Sequence, residues 1–222
     1  VFIIIGGKVI MNIKAILVDV GEWLYCIIIA LIFALTIRYF LGTPTVVKHS
    51  SMRDTLEPDQ RLVLNRIVKT MNGTIERSDI VTFESPSKVM LTEDEVNQEQ
   101  PEAIYKKKKF KLIEKFKYSV LDIGKTSYVK RVIGVAGDHV LIKDGSVYLN
   151  GEKLEEKYIR KGAITETKAF YDIVVPEGYI YVMGDNREGS MDSRDFGCVP
   201  LNKVESTVLF RFWPLDKFGK ID

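Results

Sequence analysis

The chain has 222 residues, is 46% hydrophobic and 28% charged, and carries a formal net charge of +2. That length suits one ordinary domain plus an appendage, and the near balance of acids and bases gives no electrostatic reason to expect a nucleic-acid partner. Two distant cysteines and two histidines argue against a disulfide framework and against CxxC or HExxH metal sites. They leave few bases for a Ser-His-Asp triad, so no metal or cofactor is expected.

Residues 1–22 read as an N-terminal tail. Met11 opens a sensible start, MNIKAILVDVGEWLYC, so residues 1–10 read as sequence from outside the native protein. Residues 23–41, WLYCIIIALIFALTIRYFL, hold one charge, Arg38, near the far end. As a helix they span roughly 28 Å, close to a bilayer's hydrocarbon core. Arg38 can snorkel to the interface, and Trp23, Tyr25, Tyr39 and Phe40 fall where interfacial aromatics are expected. No small-x-small cleavage site precedes the folded part, so the segment reads as a retained transmembrane anchor. Lys8 and Lys14 before it and Arg38 and Lys48 after it leave the positive-inside count nearly even.

Beyond the span the pattern changes to period two. Short strands are expected at 61–68, 79–83, 128–135, 139–144, 146–150, 172–176, 179–183 and 206–212. Asp144-Gly145 marks a tight hairpin, and Asn150-Gly151 marks the next turn. Many short strands with glycine-rich turns point to a mainly β sandwich or barrel-like domain.

The segment 85–118 departs from that pattern as a charged insertion. An acidic stretch, TEDEVNQEQPE, precedes a basic one, YKKKKFKLIEKFKY, in which Ile104, Phe110, Ile113 and Phe116 group loosely on a helix. Basic residues interleaved with aromatics can lie on anionic lipid. The imperfect stripe favours a solvated insertion whose halves neutralise each other.

Two stretches hold groups of chemical interest. In TSYVKRVIGVAGDHV, strand alternation puts Tyr128, Lys130 and Val132 on one face and Val129, Arg131 and Ile133 on the other. Burial beside an aromatic would lower the lysine pKa, and a neutral amine can act as a general base. In VMGDNREGSMDSRDFGCVP, a polar loop sits between apolar strands. Asp192 and Arg194 can stiffen it through charge-assisted bonds, and Ser190 offers a short hydroxyl.

SSMRDTL, YVKRVIGVAGD and GDNREGSMDSRDFG, in this order after one apolar span, resemble the type I signal peptidases, peptidase family S26, of the Gram-positive kind. RSDIVTF at 77–83 is similar to the family's RGDIVVF. The resemblance implies a β-rich catalytic domain over 42–222, one N-terminal transmembrane helix and an extracytoplasmic site. It implies a Ser/Lys dyad: Ser51 as nucleophile, Lys130 as general base, Ser190 positioning that lysine, and Asp192 and Arg194 as buttress with Arg131 beside them. Val47, Met52, Leu56, Tyr128 and Val129 are expected around shallow pockets for small substrate residues.

Two positions depart from the family pattern. His49 stands where members have serine or glycine and where some draw a second oxyanion donor, and Asp54 replaces the proline of SMxPTL. The expected activity is cleavage of signal peptides from exported preproteins at the cytoplasmic membrane, with membrane lipid as a partner. Divergent members act in pilus assembly, so a factor that binds or processes pilin subunits, with little peptidase activity, is the alternative.

Overall fold

The computed structural model describes residues 2–5, 8–11, 13–40, 42–67 and 73–221, with side chains from residue 16 onward except 40–43, 68–72, Glu93 and 222. Lys8 and Lys14 of the charge count, Phe40 of the aromatic belt and Val68 of the strand at 61–68 lie outside the side chains described. Strands β1 (Phe2–Ile5) and β2 (Lys8–Met11) pair as an antiparallel hairpin. Helix α1 (Ile13–Phe40) follows. Its apolar part, Ile16–Tyr39, is long and apolar enough to cross a membrane, and none of it is buried against the rest of the protein. The helix starts ten residues before Trp23, so Trp23 and Tyr25 project from its body and not from its end.

The remaining strands form two antiparallel sheets. Strands β3 (Gly42–Val46), β4 (Arg61–Asn65), β5 (Ile80–Glu84), β6 (Ser127–Val135), β11 (Tyr179–Met183), β12 (Val199–Pro200) and β13 (Val204–Trp213) make the larger one, in the order β12-β11-β6-β5-β13-β4-β3. Strands β7 (His139–Lys143), β8 (Ser146–Leu149), β9 (Glu152–Lys153) and β10 (Asp172–Val174) make the smaller, ordered β10-β7-β8-β9. The fold is mainly β, as the alternating pattern indicates. Asp144 and Gly145 take φ of 51° and 72°, the left-handed pair that a two-residue turn between twisted strands needs.

Sequence periodicity misses β3, which reads GTPTV. Pro44 has no N–H to give a ladder, yet β3 is the edge strand, where proline is tolerated. Its pairing with β4 carries the chain from the end of α1 straight to the Ser51 loop.

Three apolar clusters fill the interior. One lies on the smaller sheet, with Val140, Ile142, Val147, Phe170 and Tyr181. A second lies between β5, β6 and β11, with Val81, Phe83, Val132, Val182 and Phe196. The third, Val47, Met52, Leu56, Leu62, Leu64 and Ile80, sits under the loop that carries Ser51.

The insertion between β5 and β6 divides its two halves. Leu91 and Val96 of the acidic half pack against the smaller sheet's core, and Gln98 Nε2 donates to Ala169 O at 2.5 Å. Lys106–Lys109 lead into helix α2 (Leu112–Ser119), which buries no residue. Among the described residues no ion pair joins the acidic half to Lys106, Lys107, Lys109, Lys111, Lys115 or Lys117. The expected mutual neutralisation is therefore absent, because the two halves are anchored to different parts of the domain.

Candidate active site

Ser51 sits in a turn held from below. Met52 and Leu56 are fully buried, and Leu56 N donates to Met52 O at 2.7 Å, so two large apolar side chains pin a short loop to the core. From above, Asn186 N donates to Ser51 O at 3.1 Å, and Asn186 Nδ2 donates to Ser50 O at 3.0 Å. Gly184 permits this closeness, since a Cβ there would collide with Ser51 O and the Ser190 hydroxyl. Among the described residues the Ser51 N–H donates to no protein group.

Lys130 comes from β6 and is 3% exposed. Its Nζ lies 2.7 Å from Ser51 Oγ, although the two residues are 79 positions apart, and 3.2 Å from Val129 O. The Tyr128 ring centroid is 5.4 Å away. Burial lowers the lysine pKa from 10.5 to about 8 against the upward pull of Asp192 and Asp185, with Arg194 adding to the fall. Near neutrality the amine can lose its proton at modest cost and accept one from the hydroxyl it touches.

Behind Lys130 lie two buried ion pairs. Arg194 Nε and Nη2 hold Asp192 at 2.8 and 2.9 Å, and Asp192 Oδ2 also accepts Gly184 N at 3.0 Å. Burial alone would raise the Asp192 pKa, but Arg194 and the Gly184 amide hold it below the usual carboxylate value. Arg131 does not join this pair. Strand alternation turns it to the other side, where it grips Asp185 at 2.9 to 3.3 Å and stacks 4.0 Å from the Tyr158 ring centroid. Thr55 Oγ1 donates to the same Asp185 at 2.5 Å, tying the Ser51 turn to β6.

Ser190 borders the site, but its hydroxyl makes no hydrogen bond to Lys130. The side chain lies against Gly184, while Ser190 O accepts Lys168 Nζ at 3.0 Å. Among the described residues no direct bond joins the Ser190 hydroxyl to Lys130.

Ser51 and Lys130 open on a cleft of about 870 Å³. Val47, Met52, Tyr128 and Val129 line it as the sequence suggested, and so does the exposed ring of His49. Leu56 does not; it is consumed by the core under the turn. The sequence reading missed Leu62 and Leu64 on the cleft wall, and a hydroxyl pair, Thr82 and Ser206, 2.5 Å apart. It also gave no role to Thr55, Gly184, Asp185 or Asn186, although all four stand inside the quoted motifs.

A family model described as "Signal peptidase, peptidase S26" matches residues 20–213. The chain belongs to the signal peptidase family. It is 35% identical over 209 residues to signal peptidase I of Bacillus licheniformis, covering 90% of this chain and 92% of that one. It is 30% identical over 215 residues to signal peptidase IB of Staphylococcus aureus strain COL, covering 90% and 93%. Among solved structures it is similar to a signal peptidase I from Enterococcus faecalis V583, at 26% identity over 61% of this chain and 97% of the other. The TM-score is 0.39, too low to bear on the fold. As a member of the signal peptidase family, the protein is a peptidase of the signal peptidase I type.

Proposed function

We propose that this signal peptidase is a membrane-bound serine endopeptidase that removes N-terminal signal peptides from exported preproteins. Ser51 is the nucleophile and Lys130 the neutral general base. The observation that carries the reading is the 2.7 Å contact between Ser51 Oγ and the buried Lys130 amine.

The dyad works as follows. Ser51 Oγ attacks the scissile carbonyl carbon while its proton passes to Lys130 Nζ. The tetrahedral intermediate bears an oxyanion, which the Ser51 N–H, bonded to no group among the described residues, can receive. On collapse the C–N bond breaks, and the leaving amine takes the proton from Lys130. Lys130, neutral again, then takes a proton from the water that hydrolyses the acyl-Ser51 ester. Asp192–Arg194 and Arg131–Asp185 hold the surrounding backbone without touching the reacting atoms. Val47, Met52, Tyr128 and Val129 offer an apolar wall for small side chains beside the scissile bond. His49 is exposed, and among the described residues no hydrogen bond fixes its ring as a second donor.

Helix α1 is the membrane anchor in this reading, and the catalytic domain lies on the extracytoplasmic side. The test is cleavage of a peptide with an Ala-x-Ala site by the parent, Ser51→Ala and Lys130→Ala proteins. Each substitution is expected to lower kcat by about 10⁴-fold or more, with no further loss in the double variant, because the two groups act as a unit. Cleavage surviving Ser51→Ala would end the proposal.

A further inference from the structure

We infer that α2 and the lysine run before it form a docking surface for an anionic lipid bilayer, lying beside the point where α1 leaves the membrane. The inference rests on the membrane-anchored reading above.

The first argument is the helix's own polarity. At about 100° per residue, Leu112, Ile113 and Phe116 share one side of α2, and Glu114 and Tyr118 share the opposite one. The Tyr118 side faces the protein: its hydroxyl donates to Glu84 Oε1 at 2.6 Å, and Phe110, Lys108 and Lys125 pack about its ring. Among the described residues nothing covers the other side, with Leu112 85%, Ile113 71% and Phe116 46% exposed. The stripe that looks imperfect in sequence is thus a coherent apolar face once Tyr118 sets the helix's rotation.

The second argument is charge. Lys106, Lys107, Lys109, Lys111, Lys115 and Lys117 are exposed and make no ion pair among the described residues. In α2, Lys115 and Lys117 flank the apolar face, and Glu114 is the helix's one acid. Apolar residues between lysines match a surface that is hydrocarbon beneath and anionic above.

The third argument is place. Arg38, in the last turn of α1, donates from Nε to Val120 O at 3.1 Å and from Nη2 to Leu121 O at 3.2 Å, just past the end of α2. Arg38 and Arg66 also share Asp122. A helix tied to the end of a membrane span is held at the bilayer surface, so even weak intrinsic lipid affinity acts at high effective concentration. Arg38 and Asp122 also line the cleft, so docking of α2 sets the height of that cleft above the lipid.

The experiment uses the full chain in vesicles of phosphatidylcholine, alone or mixed with phosphatidylglycerol. An environment-sensitive fluorophore is placed on Ile113→Cys in a Cys26→Ser background, with Lys143→Cys on β7 as the reference site. Flotation after alkaline washing reports the anchor separately. The expected result is a blue-shifted label at 113, quenched by nitroxide-bearing lipids, in phosphatidylglycerol vesicles only. The shift should be lost in high salt or when Lys106, Lys107, Lys109, Lys115 and Lys117 become glutamine, and the reference label should stay aqueous. An aqueous label at 113 in a chain that floats overturns the inference alone. So does an equal shift in neutral vesicles, or a shift caused by contact with a second copy, seen as label-to-label quenching. A chain that fails to float overturns the anchored reading on which the inference stands.

Discussion

Lys130 is a primary amine with 3% of its surface exposed, and among the described residues no carboxylate is bonded to its Nζ. Its folded pKa of about 8 lies below the ordinary 10.5 because burial penalises the ammonium. Between those values the unfolded chain holds the proton and the folded chain does not. Stability from this group therefore rises with pH across that window, and the full penalty stands below about 8. The shift corresponds to roughly 3 kcal/mol. Lys130→Met should thus abolish cleavage yet raise the thermal midpoint near neutrality, an advantage that fades as pH approaches 10.5. Calorimetry of parent and variant over that range checks this, and a variant no more stable at neutrality would refute it. The same titration predicts that parent kcat/KM climbs through about pH 8 and then levels. Burial of one amine thus accounts for a weakness in the fold and, in the proposed mechanism, for the usefulness of Lys130 as a base.

The turn carrying Ser51 makes a different demand on its sequence. Asp54 has φ of 83°, a left-handed conformation closed to proline, whose ring fixes φ near about −65°. Aspartate can take this conformation, and the proline of the SMxPTL pattern could not. Asp54→Pro should destabilise by more than about 1 kcal/mol and depress cleavage by displacing Ser51. Asp54→Gly should fall within about 1 kcal/mol of the parent. Both lose the exposed 3.7 Å contact with Arg160, worth little in solvent, so the difference between the variants isolates the backbone. Urea midpoints and peptide cleavage measure it; a well-folded, active Asp54→Pro would show that the turn does not need this conformation. Helix α2 shows the same principle from the other side, since Tyr118's bond to Glu84 decides which of its faces meets solvent.

In the whole molecule, a carboxylate helps join α1 to the β-rich domain. Asp122 binds Arg66 and Lys125, whose side chains are 4% and 3% exposed, and reaches Arg38, which is 42% exposed. Losing the negative charge removes one ion-pair partner from each of two buried cations, while Arg66 keeps Ser119 O at 3.4 Å and Lys125 keeps Glu205 at 2.9 Å. Asp122→Asn, which suits the local φ of 56°, should cost about 1–3 kcal/mol, less than a wholly buried pair because Asp122 is partly solvated. Arg38→Ala should cost under about 1 kcal/mol. Thermal unfolding of the two variants in the same detergent checks the ranking; equal losses would mean that Asp122 serves only the contact with α1.

The sequence by itself determined eight of the strands, the Asp144-Gly145 turn and the apolar span, and its resemblance to the signal peptidases supplied the residues worth testing as a dyad. The first three are written in local chemistry: period two, left-handed tolerance and run length. Tertiary structure decided the rest. Strand alternation separates Lys130 from Arg131 but cannot say that Asp185 faces one and Ser51 the other, because partners arrive from strands and loops remote in sequence. It cannot tell that Leu56 is core while Met52 also borders the cleft, since both are buried apolar residues one helical turn apart. Nor can it fix a lysine's pKa, which depends on how many atoms exclude water from it. For Ser51 and Lys130, identity came from the chain, and the 2.7 Å between them came from packing the Ser51 turn against β6 under the clamp of Asn186.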